Sequence, residues 1–306
     1  MLFMPRGIKL VQMLRNSRKR RWLSIILVLF TPLAVFGFMK WREGGINGGQ
    51  KYAKPFRIAG NLYYVGANDI SAFLITGPEG HVLIDGGYPG TAKMIIASIA
   101  EFGFDIRDVK VLLNSEPHYD HAGGLAELQK VSGAKLFASE HSARVIEAGG
   151  DDPSNFLPIR LLVWTRIIRY PPARVDHLLK DGDTVRVGPI ALTAHVTPGH
   201  TRGCTSWSLP VRDGDRVLNV VSACSLVVMG VSKYSGYKAD FERSFRMLRS
   251  LPADIWVTAH ARQWGRYRKF LARDTAKSPV DAFIDPEGYR AYIDSAEAQY
   301  TRGVVH

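Results

Sequence analysis

Two β-sheets packed face to face with helices on their outer sides, a four-layer αβ/βα sandwich of the α/β class, is the fold the sequence predicts. Three observations point to it. Strand-like runs and helical patterns alternate in two successive blocks, separated by Gly, Asn and Pro turns. The 306 residues, 46% hydrophobic and with 29 glycines, suit one large layered domain and exclude a disordered chain, a coiled coil or a collagen-like repeat. The one long apolar run noted here ends at Met39, ahead of both blocks.

In the first block Asn61–Val65, Ala72–Thr76 and His81–Asp85 read as strands. Ala92–Phe102 reads as a helix, with Met94, Ile95, Ile99 and Phe102 at helical spacing. Val109–Leu113 is a buried-type strand that runs into a polar cluster, Asn114–His121. Gly123–Val131 and Ser142–Ala148 are helical, with a short strand, Lys135–Ala138, between them. Residues 149–175 are irregular and contain four prolines, a length that suggests a functional loop. Phe156, Leu157, Leu161, Leu162 and Trp164 suit a flap over a site; the alternative is an ordinary helix over Ile159–Arg169. In the second block Thr184–Val187, Ile190–Val196, Ser206–Pro210, Val217–Ser222 and Asp254–Thr258 read as strands. Phe241–Leu251 and Pro286–Tyr300 read as helices.

The net charge of +12 suggests nucleic acid until it is located along the chain. Residues 1–39 hold seven Lys/Arg and no Asp/Glu, which leaves 33 against 28 in the remainder. The excess belongs to a leader, and no nucleic-acid partner is expected. Arg18, Lys19, Arg20 and Arg21 precede an 18-residue apolar run from Trp22 to Met39, the pattern of an export signal or an uncleaved anchor. Both readings stay open, and both place the remainder in a periplasmic or secreted space, or tethered to the inner membrane. The division expected is a leader over 1–42, a linker over 43–54 and a catalytic domain over 55–306. A monomer is expected.

Chemistry concentrates in Glu116-Pro117-His118-Tyr119-Asp120-His121, directly after an apolar strand. Thr197-Pro198-Gly199-His200 follows one later strand and Thr258-Ala259-His260 ends another. Six nitrogen and oxygen ligands at strand ends, three per ion with open positions, is what a two-zinc hydrolytic site requires. The isolated His81, His141, His177 and His195 read as structural.

These residues resemble a known family. Glu116 to His121 is similar to the H-x-H-x-D-H motif of the metallo-β-lactamase fold, with Glu in place of the first His. Leu83-Ile84-Asp85-Gly86-Gly87, Thr197-Pro198-Gly199-His200-Thr201 and His260 extend the likeness over residues 55–300. The segment Ser222-Ala223-Cys224-Ser225-Leu226 lacks the bridging Asp of glyoxalase II, lactonases and phosphodiesterases, and subclass B3 β-lactamases resemble the chain best. The absence of an inserted second domain argues against the nucleases of this fold.

The resemblance implies Zn²⁺, two per chain: Glu116, His118 and His200 on the first; Asp120, His121 and His260 on the second. It implies opening of a β-lactam, a small-molecule substrate, by water deprotonated between the ions. Asp120 would orient that water as the catalytic residue, and Ser225 would contact the substrate carboxylate. Asp85 would hydrogen-bond the metal loop. Another hydrolase of the fold, such as a lactonase, and a tethered binding protein with an impaired site are the alternatives. Cys204 and Cys224 are read as a disulfide, against a Cys224 zinc thiolate or two small buried thiols.

Overall fold

The computed structural model describes residues 50–228 and 234–304. Gln50–His306 form one compact unit, and both hydrophobic cores lie within it. The expected leader lies outside the described residues, as does the linker up to Gly49. Among the described residues no helix is long and apolar enough to cross a membrane.

One sheet has seven strands in chain order: β1 (Phe56–Ala59), β2 (Leu62–Tyr64), β3 (Phe73–Ile75), β4 (His81–Ile84), β5 (Val109–Leu113), β6 (Lys135–Ser139) and β7 (His177–Leu179). Pairing is antiparallel from β1 to β4 and parallel from β4 to β7. The change of sense follows from the connections. Short connections without a helix join the early strands, whereas crossovers through helices α1 (Ala92–Ala100), α2 (Leu125–Ser132) and α3 (Glu140–Glu147) force parallel pairing later. The second sheet has the order β12-β11-β10-β9-β8. Its strands are β8 (Thr184–Val187), β9 (Ile190–Val196), β10 (Thr205–Asp213), β11 (Arg216–Ala223) and β12 (Ile255–Thr258), with only β11 and β12 parallel.

Alternation along the strands builds the layers. Val82 and Ile84 of β4, and Val111 and Leu113 of β5, join the core that also holds Leu192, Trp207, Leu209 and Val220 of the second sheet. Leu83 and Leu112, one step out of phase, join a separate core with Ile95 and Ile99 of α1, Leu125 and Leu128 of α2 and Ile146 of α3. Helices α5 (Tyr237–Ser250) and α7 (Pro286–Val304) bring Phe241, Phe245, Ile293 and Tyr300 to the first core.

The irregular stretch expected over residues 149–175 contains a helix, α4 (Leu157–Trp164), shorter than the Ile159–Arg169 alternative and set one turn earlier. Its entry is fixed by Pro158 in the first turn, and Thr165 caps its end. Helix α6 (Arg266–Ala272) and strands β1 and β7 are the other elements absent from the sequence reading.

Topology sets where the ends of strands emerge. Ile84 pairs with Leu113 in parallel, and Ala223 pairs with Thr258 in parallel, so the residues that follow all four strands leave at one edge of the sandwich. Glycines let the loops there meet: a Cβ on Gly124 would stand 2.2 Å from the Gly86 carbonyl oxygen.

Trp207 is wholly buried in the inter-sheet core, and its indole N–H has no acceptor among the described residues. Trp207→Ala is expected to cost about 3–5 kcal/mol through the cavity it leaves. Trp207→Phe, which also removes the unsatisfied N–H, is expected to cost less than half as much in urea unfolding.

Candidate metal centre

The site begins at Asp85, just past β4. It is buried and adopts a left-handed backbone (φ 63°), a region that Asp tolerates better than most residues. Its carboxylate accepts from the Ser115 backbone N–H at 2.7 Å, the Asn114 amide at 3.2 Å and the Ser115 hydroxyl. Burial pushes the Asp85 carboxyl up to about 6, against the pull of His121 and the Ser115 hydrogen bonds. Asn114 donates a second bond, at 2.8 Å, to the Glu116 carbonyl. The turn after β5 is thereby held from below. Tyr170 holds it from the side, donating at 2.6 Å to the Pro117 carbonyl.

Glu116 is completely buried and is the hub. Its Oε2 lies 3.0 Å from His118 Nδ1 and 2.8 Å from His200 Nε2. Its Oε1 accepts from the Ser225 hydroxyl at 2.6 Å and lies 3.4 Å from His121 Nε2. Burial alone would raise its carboxyl, but the imidazoles of His200 and His121 and the hydrogen bonds from His118 and His200 hold it well below the usual carboxylate range. His200 Nδ1 donates to the Val227 carbonyl at 2.6 Å, which leaves Nε2 as the ligating nitrogen.

On the other side His121 Nε2 and His260 Nε2 face each other at 3.3 Å, and Asp120 Oδ2 is 3.5 Å from the first and 3.9 Å from the second. His260 follows β12 and is fixed by a bridge to Ile70 and by the Thr258 hydroxyl on its carbonyl. His121 is raised despite its burial, because Asp120, Glu116 and Asp85 surround it; His260 is lowered, by burial first and then by His121.

These residues fit metal. Ligand atoms around one tetrahedral ion stand roughly 3.3 Å apart for metal–ligand bonds near 2 Å. Two imidazole nitrogens turned toward one another and a carboxylate at that spacing is a donor set that a cation satisfies. The ligand atoms of Glu116, His118 and His200 cluster within 4.8 Å, as do those of Glu116, His121 and His260. These two groups hold five of the six expected ligands, with Glu116 in both; Asp120 belongs to neither, but its Oδ2 borders the second at 3.5 Å from His121 and 3.9 Å from His260.

Cys204 and Cys224 are bonded to each other, and both are fully buried. Cys224 thus offers no thiolate, and the bridge ties the loop carrying His200 to the end of β11. Ser225 is buried and turned onto Glu116, so its hydroxyl serves the carboxylate and not an open substrate pocket. Phe156, Leu157, Leu161 and Trp164, expected on a flap, are exposed to solvent; the hydrogen bond from their segment to the metal loop is that of Tyr170. His81, His141, His177 and His195 belong to neither group; His195, for example, pairs with Ser208 at 2.7 Å. The sequence reading missed Asn114, Ser115, Tyr170 and the Val227 carbonyl. The Asn-Ser pair closing an apolar strand was a usable signal; a backbone carbonyl leaves none.

A family model described as the metallo-beta-lactamase superfamily matches residues 65–218. Among solved structures, the Rm3 metallo-beta-lactamase is 40% identical with a TM-score of 0.78, over 84% of this chain and 95% of its own. BJP-1, a subclass B3 metallo-beta-lactamase of Bradyrhizobium japonicum, is 30% identical with a TM-score of 0.76, over 84% and 96%. Among curated proteins, a hydroxyacylglutathione hydrolase of Jannaschia sp. is 26% identical over 62% of this chain and 60% of its own length. The human acyl-coenzyme A thioesterase MBLAC2 is 26% identical over 68% and 78%.

Removing the Ser225 hydroxyl (Ser225→Ala) is expected to weaken zinc at the Glu116–His118–His200 group by roughly tenfold or more, with the other group little changed, in competition with a chromophoric chelator. Glu116→Ala should keep one zinc per chain after dialysis and Glu116→His two, counted by elemental analysis. Two zincs in the Ala variant would remove Glu116 from the ligand set.

Proposed function

The chain belongs to the metallo-beta-lactamase superfamily, and from that premise we propose that it is a di-zinc hydrolase that opens the β-lactam ring. The observation that carries the reading is the end of β11. Where a bridging Asp would serve a thioesterase-type or lactonase-type site, Cys224 stands in a disulfide and Ser225 bonds Glu116. The structural neighbours with subclass B3 β-lactamase in their names, matched over nearly their whole length, support the same substrate class.

In this reading Glu116, His118 and His200 hold one ion, and Asp120, His121 and His260 the other. The ions, when bound, supply Lewis acidity toward the carbonyl and an acidified water. The protein contributes orientation. Asp120, partly exposed and held in its ionised form by His121, His260 and His118 against the effect of burial, is placed to accept a hydrogen bond from the attacking water. The carboxylate of Glu116 lowers the charge of the first group relative to three neutral imidazoles, which predicts weaker polarisation of the substrate carbonyl there.

We place the enzyme outside the cytoplasm, tethered or secreted. The basic, apolar leader in the sequence and the Cys204–Cys224 disulfide support that location.

The test compares three substrates on the metal-loaded full chain: a chromogenic cephalosporin, a glutathione thioester and an acyl-coenzyme A. Turnover of the cephalosporin, lost on chelation and restored by zinc, is expected, at a rate at least a hundredfold above either thioester. Efficient thioester cleavage with no β-lactam turnover would assign the protein to the chemistry named for its curated relatives.

A further inference from the structure

Tyr170 is buried in the core that the first sheet shares with its helices, yet its hydroxyl donates at 2.6 Å to the Pro117 carbonyl, 53 residues away. The chain makes room for the ring. Gly150 has φ 97°, and a Cβ there would stand 2.8 Å from Tyr170 Cε1. The Tyr170 N–H bonds the Gly149 carbonyl at 3.3 Å, so the residue is also held at its base. Burial, reinforced by the charge of Asp152, pushes the phenol well above its usual range, so it keeps its proton and remains a donor. Packing alone would be met by phenylalanine; what the hydroxyl adds is this one bond.

The bond falls where the metal turn cannot hold itself. The Glu116 carbonyl accepts from the Asn114 amide, and the His118 carbonyl from the His121 and Ala122 N–H groups at 3.0 and 2.8 Å, all within a few residues. The Pro117 carbonyl between them is held from another part of the chain, and Pro117 has no N–H to offer instead. His118 is the ligand that needs this anchor. Its Nδ1 faces Glu116 Oε2 at 3.0 Å, and its ring stands edge-on to that of His200, 4.9 Å between centroids. Among the described residues Glu116 is its only hydrogen-bond partner, whereas His200 is steadied from outside the group by the Val227 carbonyl. Nδ1 is bonded directly to Cγ and lies nearer the main chain than Nε2, so a shift of the preceding peptide reaches it almost undiminished.

We infer that Tyr170 is a positioning residue for the first metal group: its hydroxyl fixes the peptide that leads into His118 and so sets where His118 Nδ1 stands relative to Glu116 and His200. It acts through the turn and not as a ligand. The inference rests on the reading of Glu116, His118 and His200 as zinc ligands. It also gives the 149–175 segment a task other than that of a flap, since through Tyr170 the segment braces the metal turn.

The test is Tyr170→Phe in the full chain, which keeps the ring in its core and removes only the donor. Each metal group is read by itself, by zinc competition with a chromophoric chelator: the first in a His260→Ala background, the second in a His200→Ala background. Tyr170→Phe is expected to weaken zinc at the first group by roughly tenfold or more and at the second by less than about twofold. Cobalt(II) in place of zinc at the first group should show an altered visible spectrum, which a contact serving the fold alone would not change. Unchanged affinity at the first group overturns the inference. Equal or greater loss at the second group also overturns it, because the hydroxyl would then serve the fold as a whole. A His260→Ala chain that binds no zinc even with Tyr170 in place overturns the ligand reading itself, and the inference with it.

Discussion

The carboxylate of Asp85 is the interaction on which the site depends. It joins the end of β4 to the first two residues after β5 through three donors, in a place where burial opposes its charge. An unpaired charge there would be costly, so the carboxylate and its donors are each held by the other's need. Every ligand on the 116–121 turn inherits its position from that arrangement. Asn114 passes it directly to the Glu116 backbone, and the Gly86–His121 contact, with the Gly86 N–H on the His121 carbonyl at 2.8 Å, returns it to the far end of the turn.

Strong local patterns made most of the fold legible. Periodicity in Ala92–Phe102 and the apolar runs before Asp85 and Asn114 gave elements whose ends move by only a few residues in the structure. Strand β7 is three residues long, too short for alternation, and its first two residues are exposed. Helix α4 was obscured because its apolar side faces solvent, so amphipathicity could not be read as burial. The candidate ligands were legible because their chemistry is local to strand ends. The role of Ser225 was not: its partner is 109 residues away, and nothing near position 225 announces a buried carboxylate.

At Glu116 two opposing effects meet, and the balance is set by geometry. Burial favours the neutral acid, while two flanking imidazoles and a hydroxyl favour the anion. Hydrogen-bond distances near 3 Å in a water-poor pocket make the second effect larger. The disulfide helps by holding the His200 loop against β11, so the imidazole that stabilises the anion cannot drift from it.

That same carboxylate turns one oxygen toward His200 and the other toward His121, and so belongs to both ligand groups at once. One buried anion therefore sets the donor spacing on both sides of the site. A displacement of that one side chain moves a donor atom on each side at once, so the two halves of the site share a single mechanical joint.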